Sequence, residues 1–493
     1  MQIRRRNWAT SFPWRQPRPG LIRVDEPGRR LLTAGARLVT AVLLFAAWAT
    51  VAPTGVATAE TTPALAGPLY TTGTDSRIYD QNNRPVRLVG FNWGGMDRGG
   101  RDDFNKAPDV CGLVWRTPAD AIVNGVTFND FYANLRAWGY NSIRLTISWH
   151  NLEPIAPVWD AALNRYVHTF NSGYVHDLKS IVSKARAAGL SVILDMQQDF
   201  WSPALHNITN WDGSKGYCEG AGMPRWLYPS IDAKSTTTQS TDFYNGMNWF
   251  FRDVHDPSMT LTRQSPWQMF YSAWDYLAYT FSAQSGYPDH SAVIGADIFN
   301  EPWYAYVGGN PPAGQTVLQA AGIRLRNFYS AIAPAIVRWN PTWLLFFEDG
   351  TGAYNTTNPS ARDVPMLTGK PRGNYRWVYS SHIYNFGSGT FNTGVTIQDD
   401  LGINVANVLL ANAITWKVPL YIGEFSNFTL KPDARQLTNA DMTETKKFLS
   451  WAKANQVHWS FWCYTQWVAP HMAVDFATGR PIAPVVSALA SGI

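Results

Sequence analysis

Val293-Ile294-Gly295-Ala296-Asp297-Ile298-Phe299-Asn300-Glu301-Pro302 is apolar for most of its length and turns polar at its end. An apolar run of that kind is buried on both faces, as in a parallel sheet covered by helices. Working outward, Val293–Asn300 is the fourth of eight such runs. The others are Val86–Asn92, Ser142–Ser148, Ser191–Met196, Trp343–Glu348, Trp377–His382, Pro419–Glu424 and His458–Trp462. Helical stretches fall between most of them, at Thr127–Trp138, Val175–Ala188, Pro266–Ser282, Val317–Trp339, Leu401–Trp416 and Met442–Asn455. Gly139 and Gly189 stand where a left-handed helix cap calls for glycine. Strands alternating with helices in this number predict an α/β fold, the (β/α)8 TIM barrel. No helix between the fifth and sixth strands can be placed from the sequence. Leu69–Tyr79, with the turn Asp80-Gln81-Asn82-Asn83, reads as a hairpin that plugs the barrel floor.

Two insertions, Trp93–Val126 after the first strand and Asp199–Ser265 after the third, lie on the strand-to-helix side, where barrel active sites are built. Loops this long without regular structure are usually functional. No internal repeat or low-complexity linker interrupts the chain, so residues 60–493 read as one domain behind a leader at 1–59.

The net charge of +5 belongs to that leader. Nine arginines against Asp25 and Glu26 give residues 1–59 a charge of +7, which leaves −2 for the rest. A basic nucleic-acid surface is therefore not indicated. The apolar run Leu38–Val51 and the small-residue pattern Ala57-Thr58-Ala59 follow the basic stretch, the order of an export signal. Arg29-Arg30-Leu31-Leu32 is compatible with a twin-arginine route. A retained membrane anchor is the alternative, for which the run is short. The expectation is a secreted or extracytoplasmic protein. In an oxidising destination Cys111 and Cys218, on the two long loops, are expected to form a disulfide, with Cys463 at the end of the eighth strand left reduced. The cysteines lack metal-ligand spacing.

Charged residues make up 16% of the chain and aromatics 14%, including 23 tryptophans, a composition suited to stacking sugars. Two strands end in glutamate across the barrel mouth, the fourth in Asn300-Glu301-Pro302 and the seventh in Gly423-Glu424-Phe425. Cleaving a glycosidic bond needs two carboxyl groups, one protonated to assist the leaving oxygen and one ionised to attack or to activate water.

The ordered set Asn141-Ser142-Ile143-Arg144, Asn300-Glu301-Pro302, His382-Ile383-Tyr384, Gly423-Glu424-Phe425 and a last strand ending in Trp462 resembles glycoside hydrolase family 5, over about Gly67 to the C-terminus. The resemblance implies Glu301 as acid/base and Glu424 as nucleophile of a retaining enzyme. It also implies Asn300 on the sugar 2-hydroxyl, Arg144 beside Glu424, Tyr384 donating to the nucleophile, His382 near the acid/base, and Trp462 as the sugar platform. Each has a structural alternative: Arg144 pairing with a helix acid, His382 as a core histidine, Trp462 as barrel packing. Gln197, in Asp195-Met196-Gln197-Gln198-Asp199, replaces the family's usual histidine and is expected to contact the sugar from a solvent-reachable strand end.

Val86–Asn92, Cys111-Gly112-Leu113-Val114-Trp115 and Phe347-Glu348-Asp349-Gly350 are similar to bacterial endo-β-1,4-glucanases. Asp195–Asp199, Gly222-Met223-Pro224-Arg225-Trp226 and Trp267–Phe281 are similar to endoglycoceramidases. The expected partners are a β-glucan or β-glucoside first, a glycolipid second and a β-mannan third. Neither a metal, an organic cofactor, a nucleic acid nor an obligate protein partner is implied. An inactive surface carbohydrate-binding protein is the reading from a different class.

Overall fold

The structure is a computed structural model. It describes residues 64–493 except 66, 98–114, 116, 119–121, 124–125, 199–221, 233–238, 257, 304–306, 350–366, 384–400, 427–436, 441, 466–471 and 476–477. All of these belong to the unit Gly55–Ile493.

Eight strands form the barrel. They are β1 (Val89–Trp93), β2 (Ser142–Ile147), β3 (Ser191–Met196), β4 (Val293–Asp297), β5 (Leu344–Glu348), β6 (Trp377–Ile383), β7 (Leu420–Phe425) and β8 (His458–Phe461). Each pairs in parallel with its sequence neighbour, and β8 closes onto β1. The expected (β/α)8 barrel is therefore the fold. Outside it run α1 (Phe131–Ala137), α2 (Ser172–Ala187), α3 (Pro266–Thr280), α4 (Val317–Val337), α5 (Leu401–Trp416), α6 (Thr443–Ala454) and α7 (Ala483–Ala490). Helix starts follow local chemistry. Ser265 with Gln268 and Thr316 with Gln319 form capping boxes at α3 and α4, each supplying partners for orphan backbone donors. Gly139 and Gly189 adopt φ of 93° and 75° after α1 and α2, as their positions require.

Several boundaries differ from the sequence reading. The first strand starts at Val89 because Pro85–Val86 instead pairs with Ile78–Tyr79, which in turn pairs with Tyr70–Thr71. The Asp80 carboxylate holds the intervening turn by accepting from the Asn82 and Arg84 amides. Helix α1 starts at Phe131 because Val126–Thr127 is drawn into a hairpin with Ile122–Val123. The insertion after β3 is not structureless, since Gln239–Phe251 is helical. A second hairpin, Val158–Asp160 with Arg165–Val167, follows β2 and has no counterpart in the sequence reading. Among the described residues no helix lies between β5 and β6, and none is long and apolar enough to cross a membrane.

Alternation divides the core in two. Outward residues such as Ile143, Leu145, Val192, Leu194, Leu345, Phe347 and Ile422 pack under the helices. Inward Ile193, Ile294, Leu344, Phe346, Val378 and Tyr421 meet Leu69, Ile78 and Leu88 of the N-terminal sheet. This sealed apolar floor leaves the upper lumen to polar side chains, the layered arrangement of a filled barrel. The hairpin expected as a plug does occupy that position.

Candidate active site

Register sets the polar layer. Asp195 on β3 aligns with Asp297 on β4, Arg144 on β2 aligns with Asn92 on β1, and His382 on β6 aligns with Glu424 on β7. The last match depends on a bulge. Tyr421 faces the floor and Ile422 faces the helices, so strict alternation would turn Glu424 outward with Ile422. The register slips between Ser381 and His382, because Gly423 is an extra residue on β7. A one-residue bulge re-aims the next side chain, here Glu424, toward His382. Gly423 is also tightly enclosed, since a Cβ there would lie 3.0 Å from His382 Nε2 and 3.2 Å from Ser380 Oγ and would press on both.

Arg144 is fully buried and is the hub of the layer. Its Nη1 donates to Glu424 Oε1 at 2.8 Å and to Asn92 Oδ1 at 3.1 Å. Nε donates to Asp297 Oδ2 at 3.0 Å, and Nη2 donates to Asn300 Oδ1 at 2.9 Å while pairing with Asp195 at 2.9 Å. One guanidinium thus faces three carboxyl groups. Their field holds Arg144 charged against the effect of burial. Burial pushes Asp195 well above the usual carboxylate range despite Arg144, and the neighbouring Asp297 adds to the rise.

Glu301 follows β4 in the left-handed region, φ 43°, and its amide donates to Glu348 Oε2 at 2.8 Å. The preceding segment is pinned on both sides. Trp274 of α3 donates to Ile298 O at 3.2 Å, and the Asn300 amide donates to Met196 O at 3.0 Å. Burial raises the Glu301 carboxyl to about 7, with Arg144 opposing. His382 Nδ1 lies 2.9 Å from Glu301 Oε1 and 3.6 Å from Glu424 Oε2. Burial lowers that imidazole to about 4, so it is neutral at neutral pH. Glu301, His382 and Glu424 each present an atom within 4.8 Å of the other two. Such a trio has the donors for a cation, but the same atoms form a proton-handling cluster with no metal required.

The model for the cellulase family, glycosyl hydrolase family 5, matches residues 111–467. The chain belongs to that family. Among the relatives of this family 5 chain is a glucosylceramidase of Aspergillus fumigatus, 23% identical over 270 residues, which are 46% of this chain and 32% of the relative. The chain thus spans about a third of the curated relative it matches. Two solved structures share the fold. An endogalactoceramidase matches with TM-score 0.58 and 20% identity, covering 86% of this chain and 84% of that one. The lactosyl-enzyme intermediate of endo-glycoceramidase II from Rhodococcus sp. matches with TM-score 0.55 and 19% identity, covering 84% and 80%.

Of the residues expected in this family 5 site, Arg144, Asn300, Glu301, His382 and Glu424 converge. Trp462, 6% exposed, lies over Gly94, where a Cβ would come within 3.2 Å of its ring. Gln197 corrects one expectation: it is 1% exposed, not solvent-reachable, and its Oε1 has no hydrogen-bond partner. The chain at Gly222 (φ 90°) packs against the backbone of this strand end, where a Cβ would lie 2.3 Å from Gln197 O and 2.2 Å from Gln198 Cα. Tyr384, Cys111 and Cys218 lie outside the described residues, as does the expected disulfide. Cys463 is buried, and its thiol donates to Thr465 O at 3.2 Å. The sequence reading assigned no role to Asn92, Asp297 or Glu348. Their signal, a polar side chain near the end of an apolar strand, is the one that revealed Glu301 and Glu424.

Proposed function

We propose that this family 5 chain is a retaining β-glycosidase in which Glu424 attacks the anomeric carbon while Glu301 protonates the leaving oxygen. The observation that carries the reading is the spacing: one oxygen of each carboxyl group lies within 4.8 Å of the other. Double displacement uses a separation of about 5–5.5 Å, whereas an inverting water needs about 6.5–9.5 Å. The electrostatics support the same assignment. Arg144 at 2.8 Å favours an ionised Glu424, and burial keeps Glu301 protonated up to about 7. After leaving-group departure Glu301 is a carboxylate, able to take a proton from the water that releases the glycosyl-enzyme. Arg144 orients the Asn300 amide for the sugar 2-hydroxyl, and Trp462 supplies the sugar platform.

For substrate we place a β-linked glycolipid ahead of a β-glucan, reversing the order taken from sequence. The names of the relatives support it, as do the Gly222–Trp226 and Trp267–Phe281 segments. The leader supports an extracytoplasmic location. Proton NMR of the first-formed product from an aryl β-glycoside tests the mechanism, with retained configuration expected. Glu424→Gly should be inactive and partly rescued by azide. An inverted product, or wild-type turnover in Glu424→Gly, would falsify the assignment. Release of sugar from glucosylceramide, cello-oligosaccharides and mannan, compared side by side, tests the substrate order.

A further inference from the structure

Glu348 is a buried acid at this mouth that the two-carboxylate reaction leaves unused. Its side chain is fully buried at the end of β5. Oε2 accepts the Glu301 amide at 2.8 Å, while Oε1 has no hydrogen-bond partner and faces His382 Nε2, likewise without one, at 3.4 Å. That gap closes with a few tenths of an ångström of movement, and catalytic contacts often run long without substrate. The other imidazole nitrogen, Nδ1, meets Glu301 at 2.9 Å. Tyr329 of α4 fixes the strand end, since its hydroxyl donates to Glu348 O at 3.0 Å and accepts the Glu348 amide at 3.1 Å.

We infer that Glu348 is a positioning residue that stores a proton and, before the glycosidic bond is cleaved, passes it through His382 to Glu301. The step balances without any other reactant. The Glu348 O–H transfers its proton to Nε2, Nδ1–H transfers its proton to Glu301 Oε1, and the negative charge moves from Glu301 to Glu348. A neutral imidazole can do this because one nitrogen donates while the other accepts. The charged groups facing Glu348 are Asp297 on β4, Arg144 on β2, Glu301 after β4 and His382 on β6. Those facing His382 include Glu424 on β7. Burial and Asp297 hold the Glu348 carboxyl well above its usual range, with Arg144 opposing, so it carries a proton to give.

The inference rests on Glu301 being the acid/base, and the test separates the two. The carboxamide introduced by Glu348→Gln still accepts the Glu301 amide, but it donates N–H to Nε2 and has no proton to release. That fixes the imidazole proton on Nδ1 and favours ionised Glu301. In the full chain, the alkaline limb of kcat/KM should move to lower pH by about one unit, with a corresponding loss of about ten-fold in kcat above it and little change in KM. In a His382→Asn background the same Glu348 substitution should no longer move the limb. A superimposable pH profile for Glu348→Gln, or an equal shift without the imidazole, overturns the relay. Should Glu348→Gln misfold, nitrogen-15 NMR of the unaltered protein decides. Above the Glu301 transition His382 should carry its proton on Nδ1, and an imidazolium or protonated Nε2 at that pH overturns the proposal. If Glu301→Ala shows no greater loss on poor leaving groups than on activated ones, the acid/base assignment itself has failed.

Discussion

Glu301→Gln should make the protein more stable and less active, and the stability gain should depend on pH. Burial raises the Glu301 carboxyl from an ordinary value of 4.5 to about 7, and its side chain is 19% exposed. In the unfolded chain the group ionises near its ordinary value. As pH rises through that window the unfolded state therefore loses its proton first, and the folded state is progressively disfavoured. The full effect is about 3 kcal/mol, at about 1.36 kcal/mol per pKa unit. It is complete above pH 7 and absent below about pH 4.5. A carboxamide keeps the shape and the contact with His382 without the charge. The variant should thus melt with the wild type at about pH 4 and about 3 °C higher at pH 8, taking about 2.1 cal/mol/K of unfolding entropy per residue. Turnover of substrates with poor leaving groups should fall about 10²–10⁴-fold. Melting followed by circular dichroism at the two pH values is sufficient. Equal differences at both, or a variant less stable than wild type at pH 8, would show that Glu301 is not held protonated by burial.

Three further outcomes are expected. Arg144→Met leaves Asp195, Asp297 and Glu424 without their cation, and breaking a buried pair costs about 3–5 kcal/mol, so a wild-type melting temperature would contradict the hub. Gly423→Ala presses a methyl against His382 and should lower melting stability by about 1–3 kcal/mol together with activity, whereas an unaltered protein would mean that the bulge tolerates a side chain. Gln197→His should fold normally and change turnover by no more than about 10²-fold, or about 2.7 kcal/mol of barrier. An insoluble product would make Gln197 a structural residue of the β3 end.

The eight barrel strands and the two glutamates were legible because a long apolar run that ends in charge is seldom anything but a buried strand delivering a polar group to its mouth. What the pattern could not supply was partnership across the barrel. Arg144 and Asp297 are 153 residues apart and meet only through the register of β2, β3 and β4. Gly423 within a strand suggests a bulge, but only the alignment of His382 with Glu424 shows which side chain it turns inward. The small hairpins at Ile122–Thr127 and Val158–Val167 have strands of two or three residues, too short for any period to register. The burial of Gln197, and the packing of Gly222 against the backbone beside it, are tertiary results that strand periodicity does not contain.

Closing β8 onto β1 has a kinetic consequence. The Leu88 amide donates to His458 Nδ1 across 370 residues, at the same seam where Trp459 aligns with Val89. During synthesis, at about 5–20 residues per second, the first edge of the sheet waits roughly 20–70 seconds for its partner. Throughout that interval β1 presents unpaired amides and carbonyls, the template on which another chain can add. Contacts this distant in sequence are also slow to form, because loop closure precedes any reward. Recovery of active protein should therefore depend on how dilute the emerging chains are kept, far more than the stability of the finished barrel would suggest.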